Sequence, residues 1–326
     1  MPDIMGKMDI AFPNLHIYLK DVPKSFSIFG FDIALYGVII GLGFFLALLL
    51  ISRMAKKTGQ NPDDYWDIAV YIIVFSIIGA RIYYVFFAWD YYKDNPISVL
   101  YIRNGGLAIY GGVIAGFLTA FIYTKIKKKS FLMMADTIMY GLLLGQLIGR
   151  WGNFTNREAF GEYTNGLFAM RLPVDAVRGG EITALMKEHM SAATNYIQVS
   201  PTFLYESLWN LCLLILLFIY CKHKKFNGEI VLLYLAGYGL GRAWIEGLRT
   251  DQLIMHTTGL PVSQMLAICL VIFGVLADVI VRIRIKGKEV STWPEAVEAE
   301  KETSEKETSE KETSEKETSE KETKTE

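Results

Sequence analysis

The sequence predicts an all-α polytopic membrane protein, with about seven transmembrane helices around a polar cavity in the outer leaflet and a small extracytoplasmic head. Three observations predict this fold. Hydrophobic residues make up 52% of the 326 residues, more than a water-soluble domain of this length needs. Several apolar stretches are long enough to cross a bilayer core, which takes about 20 helical residues. Arginine, glutamate and tyrosine side chains recur inside these stretches at one depth.

The predicted membrane spans follow one another along most of the chain. They lie near residues 31–52, 67–88, 105–124, 131–149, 202–221, 229–248 and 262–281. The first is expected to be an uncleaved span, because residues of mixed composition precede it and no short basic segment leads into a cleavage site. The predicted domains are an extracytoplasmic segment (1–30), four spans (31–149), an extracytoplasmic head (150–200), three spans (201–286) and a disordered cytoplasmic tail of KETSE repeats (287–326).

The charges of the short connections predict the orientation. Lysine and arginine are concentrated after spans one, three, five and seven, in the segments RMAKK, KIKKK, KHKK and RIRIKGK. The connections after spans two and six carry only Lys93, Arg103 and Arg249. Because positively charged connections remain on the cytoplasmic side, we expect the N-terminus outside and the C-terminus in the cytoplasm.

The sixth span shows the polar layer most clearly. Tyr238, Arg242, Glu246 and Arg249 recur at helical spacing and therefore lie on one face. Charged side chains are costly in hydrocarbon, so they should face one another or a wet cavity. An alternative is that Arg242 and Glu246 form an ion pair that only stabilises the helix.

Arginines outnumber carboxylates in this layer. Its ionised residues are Arg81, Arg150, Arg242, Arg249, Glu206 and Glu246. An excess of guanidinium groups in a dry pocket favours an anion, and their planar donor geometry suits phosphate. In the glycine run GGLAIYGGVIAG, we expect Gly105, Gly106, Gly111 and Gly112 to leave backbone N–H groups accessible to a ligand near the outer face. No histidine or cysteine spacing indicates a metal site.

Six motifs, in this order, resemble those of one bacterial enzyme family. They are ALYG at 34–37, GARIYY at 79–84, GGLAIYGG at 105–112, GRWGNFTNREAFGE at 149–162, PTFLYE at 201–206 and YGLGRAWIEGLRTD at 238–251. The long fourth motif is the most specific. Together they resemble the prolipoprotein diacylglyceryl transferases, over about residues 11 to 286.

The resemblance implies an activity in the bacterial cytoplasmic membrane. Phosphatidylglycerol would donate its diacylglyceryl group to the lipobox cysteine thiol of prolipoprotein signal peptides, releasing glycerol phosphate in the first step of lipoprotein maturation. The expected partners are phosphatidylglycerol, these signal peptides and membrane lipids, without a cofactor or nucleic acid.

The resemblance also implies roles for individual residues. The matching positions are Tyr36, Arg150, Asn153, Glu158, Gly161, Tyr238, Arg242 and Glu246. Arg150 and Arg242 would hold the phosphate and stabilise charge on the leaving oxygen. Glu246 would fix Arg242. Glu158 and Asn153 would support Arg150 and shape the donor site, and Gly161 would let the backbone turn closely.

Tyr110 departs from the family's pattern, because many members carry a histidine there that is regarded as the base for the thiol. A phenol, with a reference pKa of about 10, is a poor base at neutral pH. Tyr110 is then either a base activated by nearby arginines or a hydrogen-bonding group. A thiol of pKa about 8.5 already has some thiolate, so positive potential is a further way to activate it.

Two other classes of function fit parts of the sequence. A transporter of organic anions would also use arginines in a glycine-lined cavity, but the spans do not divide into two matching repeats. A receptor or scaffold would use the head and tail as interaction surfaces, and this would leave the arginines unexplained.

Overall fold

A computed structural model describes residues 4–102, 105–191, 193–255 and 259–286. The predicted disordered tail lies outside these residues. The described chain forms two compact units. The first contains the residues up to Leu50, Ile138–Lys224 and those from Gly228 onward, and the second contains Ile51–Thr137 and Lys225–Asn227.

Nine α-helices are present in the described part of the chain. They are α1 Leu35–Lys57, α2 Pro62–Phe87, α3 Trp89–Tyr92, α4 Ile109–Ile126, α5 Phe131–Asn156, α6 Ala184–Glu188, α7 Thr202–Tyr220, α8 Glu229–Glu246 and α9 Val262–Ile285. Six strands accompany them: β1 Ile10–Phe12, β2 Ile17–Leu19, β3 Ser25–Ile28, β4 Phe31–Ala34, β5 Met170–Pro173 and β6 Tyr196–Val199.

Six helices are long and apolar enough to cross a membrane by length and composition, which confirms a multi-pass membrane protein. They are α1, α2, α4, α5, α7 and α9. Helix α8 corresponds to the predicted sixth span but carries Glu229, Arg242 and Glu246 within its 18 residues. Since each buried charge opposes insertion, the seventh crossing depends on how these charges are paired.

Helix boundaries differ from the predicted spans where polar residues remain helical. Helix α5 continues to Asn156, beyond the predicted end at residue 149, so the polar motif forms its last two turns. Helix α2 begins earlier than predicted, at Pro62, because Asn61 caps it by accepting from the Asp63 backbone N–H. Hydropathy alone therefore underestimates the length of helices that extend past the apolar core.

The head of the first unit contains a sheet that the sequence did not indicate. Four antiparallel strands lie in the order β2-β1-β5-β6, and Ala11 of β1 pairs with Arg171 of β5. The N-terminal segment and the head therefore fold together. Their shared core includes Ile10, Leu172 and Ile197, each fully buried.

Arg157 joins the N-terminal segment to the end of α5. The residue has a left-handed backbone, with φ of 55°, directly after the helix. Its buried guanidinium donates to the carbonyl oxygens of Met8 at 2.5 Å, Val22 at 2.6 Å and Thr155 at 2.8 Å. Burial lowers the pKa of Arg157, and Asp9 partly opposes that effect. These bonds fix the chain just beyond the polar motif.

In the second unit, α2 packs against α4 through glycine. A Cβ atom on Gly79 would lie 2.8 Å from the Gly111 carbonyl oxygen, so no larger residue fits without separating the helices. A Cβ atom on Gly111 would meet the Gly79 carbonyl oxygen and the Tyr83 Cβ.

Candidate active site

The last two turns of α5 carry the first part of the site. The Arg150 Nη1 atom donates to Asn153 Oδ1 at 3.4 Å, and Asn153 Nδ2 donates to Glu158 Oε1 at 3.1 Å. Asn156 Nδ2 donates to the same Glu158 oxygen at 3.3 Å. These residues are close because the helix places Arg150, Asn153 and Asn156 at intervals of three. Three predicted site residues, Arg150, Asn153 and Glu158, thus form one network.

Glu206, in the second turn of α7, links arginines from two other helices. Its Oε1 lies 2.5 Å from Nη2 of Arg150 in α5, and its Oε2 lies 3.0 Å from Nη1 of Arg242 in α8. A carboxylate has enough lone pairs to accept from two guanidinium groups at once. One buried glutamate therefore fixes both arginines that the sequence predicted as phosphate ligands.

The C-terminal end of α8 completes the network. Arg242 Nη2 lies 2.5 Å from Glu246 Oε2, one helical turn away. Arg249 Nη1 lies 3.9 Å from the same Glu246 oxygen, while its Nε and Nη2 donate to Asp251 at 2.9 and 2.7 Å. Arg249 is therefore held mainly by Asp251, and Arg242 is held on two sides by carboxylates.

The arginines and glutamates differ in exposure. The side chain of Glu206 is 4% exposed and that of Glu246 is 5%, whereas Arg150 is 21% and Arg242 is 16% exposed. A buried carboxylate without partners would be strongly destabilising, so the arginines neutralise the glutamates from one side. The arginine side chains are therefore more accessible than the glutamate side chains. An approaching ligand meets cations before it meets carboxylates.

Within the first unit, the charges of this cluster are balanced, whereas the sequence predicted an excess of arginine in the whole polar layer. Arg81 lies in the other unit, and Asp251 pairs with Arg249. The cluster of the first unit contains equal numbers of each sign: Arg150, Arg242 and Arg249 with Glu206, Glu246 and Asp251. Unequal exposure, rather than net positive charge, is what directs this cluster toward an anion.

Tyrosines of α8 lie beside Arg150. The Tyr238 ring stacks on Tyr234 at 5.5 Å between centroids. Arg150 and Arg242 are near enough to the Tyr238 hydroxyl to interact with it electrostatically. Gln146, one turn before Arg150, donates to the Tyr234 hydroxyl at 2.9 Å. The predicted residue Tyr238 therefore lies next to the arginine cluster.

Gly161 and Tyr36 define the backbone around this cluster. The Gly161 N–H donates to the Ser200 carbonyl at 2.8 Å, and a Cβ atom there would lie 2.7 Å from the Leu248 carbonyl oxygen. Only glycine permits this close approach to the residues that follow α8. Tyr36, at the start of α1, packs on Gly152 of α5, where a Cβ atom would lie 2.7 Å from its ring.

Arg81 belongs to the second unit and binds a loop. Its guanidinium donates to the carbonyl oxygens of Val99, Gly105, Gly106 and Ser98 at 2.7 to 3.0 Å. Its expected part in substrate binding stays a prediction.

Gly105, Gly106 and Tyr110 lie beside this loop. Both glycines have positive φ, and the Gly105 N–H donates to the Ile102 carbonyl at 3.2 Å. That N–H therefore already has a partner, whereas the sequence predicted that it would be accessible to a ligand. Tyr110, in the first turn of α4, is 43% exposed. The predicted roles of all three in binding or catalysis remain predictions.

Two residues of the network had no role in the sequence prediction. Glu206 was placed in the polar layer without a partner, because one sequence does not show which helices are neighbours. Asp251 follows the end of α8, where helical periodicity gives no information on side-chain direction. The proximity of Asp251 to Arg249 in sequence was the available signal.

The site defines a class of protein: a multi-pass membrane protein whose partly exposed arginines are held by buried glutamates. Residues 23–280 match the family model of prolipoprotein diacylglyceryl transferases. The chain is 42% identical over 255 residues to the phosphatidylglycerol–prolipoprotein diacylglyceryl transferase of Clostridioides difficile, covering 78% of this chain and 93% of that protein. It is 39% identical over 273 residues to the Bacillus licheniformis enzyme of the same name, covering 84% and 96%.

The chain belongs to the prolipoprotein diacylglyceryl transferase family. The family predicted from the six motifs is confirmed, and with it the class of enzyme, a transferase.

Proposed function

We propose that this enzyme transfers the diacylglyceryl group of phosphatidylglycerol to the lipobox cysteine of prolipoprotein signal peptides. The cysteine sulfur forms a thioether bond to the terminal glycerol carbon of the diacylglyceryl group. The bond from that carbon to the phosphate oxygen breaks, so glycerol phosphate leaves as an anion and the thiol loses its proton. The family assignment and the names of the relatives support this reaction.

One observation carries the proposal at the site: Glu206 holds the guanidinium groups of Arg150 and Arg242 together while leaving both partly exposed. Guanidinium groups bind phosphate through parallel hydrogen bonds. When the carbon–oxygen bond breaks, negative charge increases on the phosphate oxygen. Donors that are already fixed near this oxygen stabilise the transition state without having to reorganise.

The proposed orientation places this site at the outer leaflet. Lysine and arginine are concentrated in the C-terminal turns of α1, α4, α7 and α9 or directly after them, which favours a cytoplasmic location for those ends. The N-terminus and the head, residues 1–30 and 150–200, would then be extracytoplasmic, and residues 287–326 cytoplasmic. Arg150, Arg242 and Glu206 would lie at headgroup depth, because each is at the end of its helix that is nearer the head.

A mass assay tests the proposed reaction. Purified protein is mixed with phosphatidylglycerol vesicles and a synthetic lipobox peptide, and the peptide mass is followed. We expect the mass of one diacylglyceryl group to be added and glycerol phosphate to appear. A matched peptide with serine in place of the lipobox cysteine should gain no mass. Anion flux across liposomes without a mass change would instead support a carrier and overturn the proposal.

Replacing Tyr110 with phenylalanine should leave turnover within about threefold of the unmodified enzyme, because a phenol with a reference pKa of about 10 is a poor proton acceptor. Arg81, an arginine of the same unit, is occupied by loop carbonyls. The turnover of Tyr110→Phe would be measured with the mass assay across pH 6 to 9.

Tyr101→Phe is the matched control, since Tyr101 is an exposed tyrosine of the same unit. A hundredfold loss confined to Tyr110→Phe would identify Tyr110 as the base.

A further inference from the structure

Arg178, in the head, is a cation that the family motifs do not include. It lies in the short segment AVRGGE between two 3-10 turns, and its side chain is 76% exposed. Its Nη2 lies 3.6 Å from Glu158 Oε2, and its Nη1 lies 3.4 Å from Glu181 Oε1. Both distances are longer than the roughly 2.8 Å of a close charge-assisted bond. Arg178 is thus loosely held by two carboxylates and accessible to solvent.

Glu158 connects Arg178 to the arginine cluster. One Glu158 oxygen accepts from Asn153, which in turn accepts from Arg150, while the other oxygen faces Arg178. The chain of contacts therefore runs from an exposed cation in the head to Arg150 at the end of α5. Arg178 is its outermost member.

The surroundings of Arg178 are positively charged on the side of the N-terminal segment. Lys24 donates to the Ala176 carbonyl at 2.9 Å, which fastens that segment to the loop carrying Arg178. Burial lowers the pKa of Lys24, and the nearby cations Arg157 and Arg178 lower it further while Glu158 opposes them. Several cations thus share this part of the head, and an anion that approaches would relieve their mutual repulsion.

We propose that Arg178 is a further substrate-binding residue that exchanges Glu158 for the phosphate of the donor lipid as the headgroup enters the site. This inference rests on the proposed function and adds to it a residue outside the motifs. The ligand chemistry is a phosphate that carries glycerol, either in the lipid or as the released product. Because the pair with Glu158 is long and exposed, little interaction energy is lost when Arg178 changes partner.

Arg178→Gln should raise the KM for phosphatidylglycerol about fivefold and leave kcat nearly unchanged, since an exposed cation contributes to capture more than to chemistry. The difference in KM between Arg178→Gln and the unmodified enzyme should largely disappear at about 0.5 M salt, because charges are then screened over a few ångströms. Arg178→Lys should restore most of the KM, because a charge remains at that position.

Arg171→Gln is the matched control. Arg171 is also a head arginine, but it bonds Gln198 on the neighbouring strand and lies over the Tyr196 ring. Arg171→Gln removes the same charge from the head as Arg178→Gln, so a general electrostatic effect would raise the KM of both variants equally. Equal KM values for the two variants would overturn the inference.

A double variant excludes a structural explanation. Arg178→Gln leaves the mostly buried Glu181 without its cation, and burial already raises the pKa of that carboxyl. The double variant Arg178→Gln with Glu181→Gln removes this charge and should keep the raised KM.

Inhibition by added glycerol phosphate separates the two ligand sources. Weaker inhibition in Arg178→Gln shows contact with the released group too, and unchanged inhibition restricts the contact to the lipid.

Failure of this inference can be distinguished from failure of the proposed reaction. If the unmodified enzyme adds no diacylglyceryl group to the peptide, the proposed function fails. If it does so and Arg178→Gln retains a normal KM, only the role of Arg178 fails.

Discussion

Replacing Arg242 with alanine should lower the turnover of diacylglyceryl transfer by about a thousandfold, the upper range for loss of one donor that stabilises transition-state charge. Arg242 is the one arginine of the cluster that contacts both buried glutamates, at 3.0 Å for Glu206 and 2.5 Å for Glu246. Its removal leaves the phosphate with fewer donors and leaves two carboxylates facing the same space. The mass assay with the lipobox peptide, run at saturating phosphatidylglycerol, measures the loss.

Arg242→Lys discriminates between charge and geometry. A lysine keeps the charge, but one ammonium group cannot reproduce a fork that contacts two glutamates and a phosphate. We expect it to remain at least about thirtyfold below the unmodified enzyme, because the lost function is geometric. Arg284→Ala, at an exposed arginine near the end of α9, is the control and should be normal. Full activity of Arg242→Lys would show that a cation alone is sufficient.

The helices were predictable because the bilayer imposes a simple rule on sequence. A span of about 20 apolar residues has to be helical, since unpaired backbone groups are costly in hydrocarbon. The same rule does not apply to the head, where short strands such as β1 and β5 come from distant parts of the chain. Strands of three or four residues carry too little alternation to be detected, and their pairing depends on long-range contacts.

Within the site, sequence reasoning succeeded where residues share a helix. Arg242 and Glu246 are one turn apart in α8, and Arg150 and Asn153 are one turn apart in α5, so helical spacing places each pair together. It failed where contacts join different helices. Glu206 holds two arginines through tertiary packing, and depth in the membrane does not determine which helices are neighbours.

The count of charges was also a poor guide to electrostatics. Four arginines against two glutamates predicted an anion site by excess charge, but Arg81 binds loop carbonyls in another unit and Asp251 neutralises Arg249. The balanced cluster still favours an anion, because the glutamates are buried and the guanidinium groups are partly exposed. The preference of the cluster for an anion depends on which member of each ion pair a ligand meets first, and the sequence alone does not show this.

Glu206→Gln should lower kcat about a hundredfold, the usual effect of displacing catalytic groups by about 1 Å, while the KM for phosphatidylglycerol falls. Glutamine has almost the shape of glutamate, but its NH₂ group cannot accept from a guanidinium. It therefore holds either Arg150 or Arg242, and the other arginine moves away from its position beside the leaving oxygen. Removing the negative charge also makes the cluster net positive, so the lipid phosphate should bind more tightly.

A fall in kcat together with a fall in KM distinguishes this positioning role from a loss of folding. Kinetics on purified protein should be combined with its thermal unfolding midpoint, and Glu188→Gln, an exposed carboxylate of the head, is the matched control. If Glu206 only neutralised the arginines, Glu206→Gln would bind lipid more tightly with an unchanged kcat. A fall in kcat together with a raised KM would mean that Glu206 contacts the substrate itself. Only a reduced kcat with a lowered KM fits a carboxylate that holds two guanidinium groups in place for the departing phosphate.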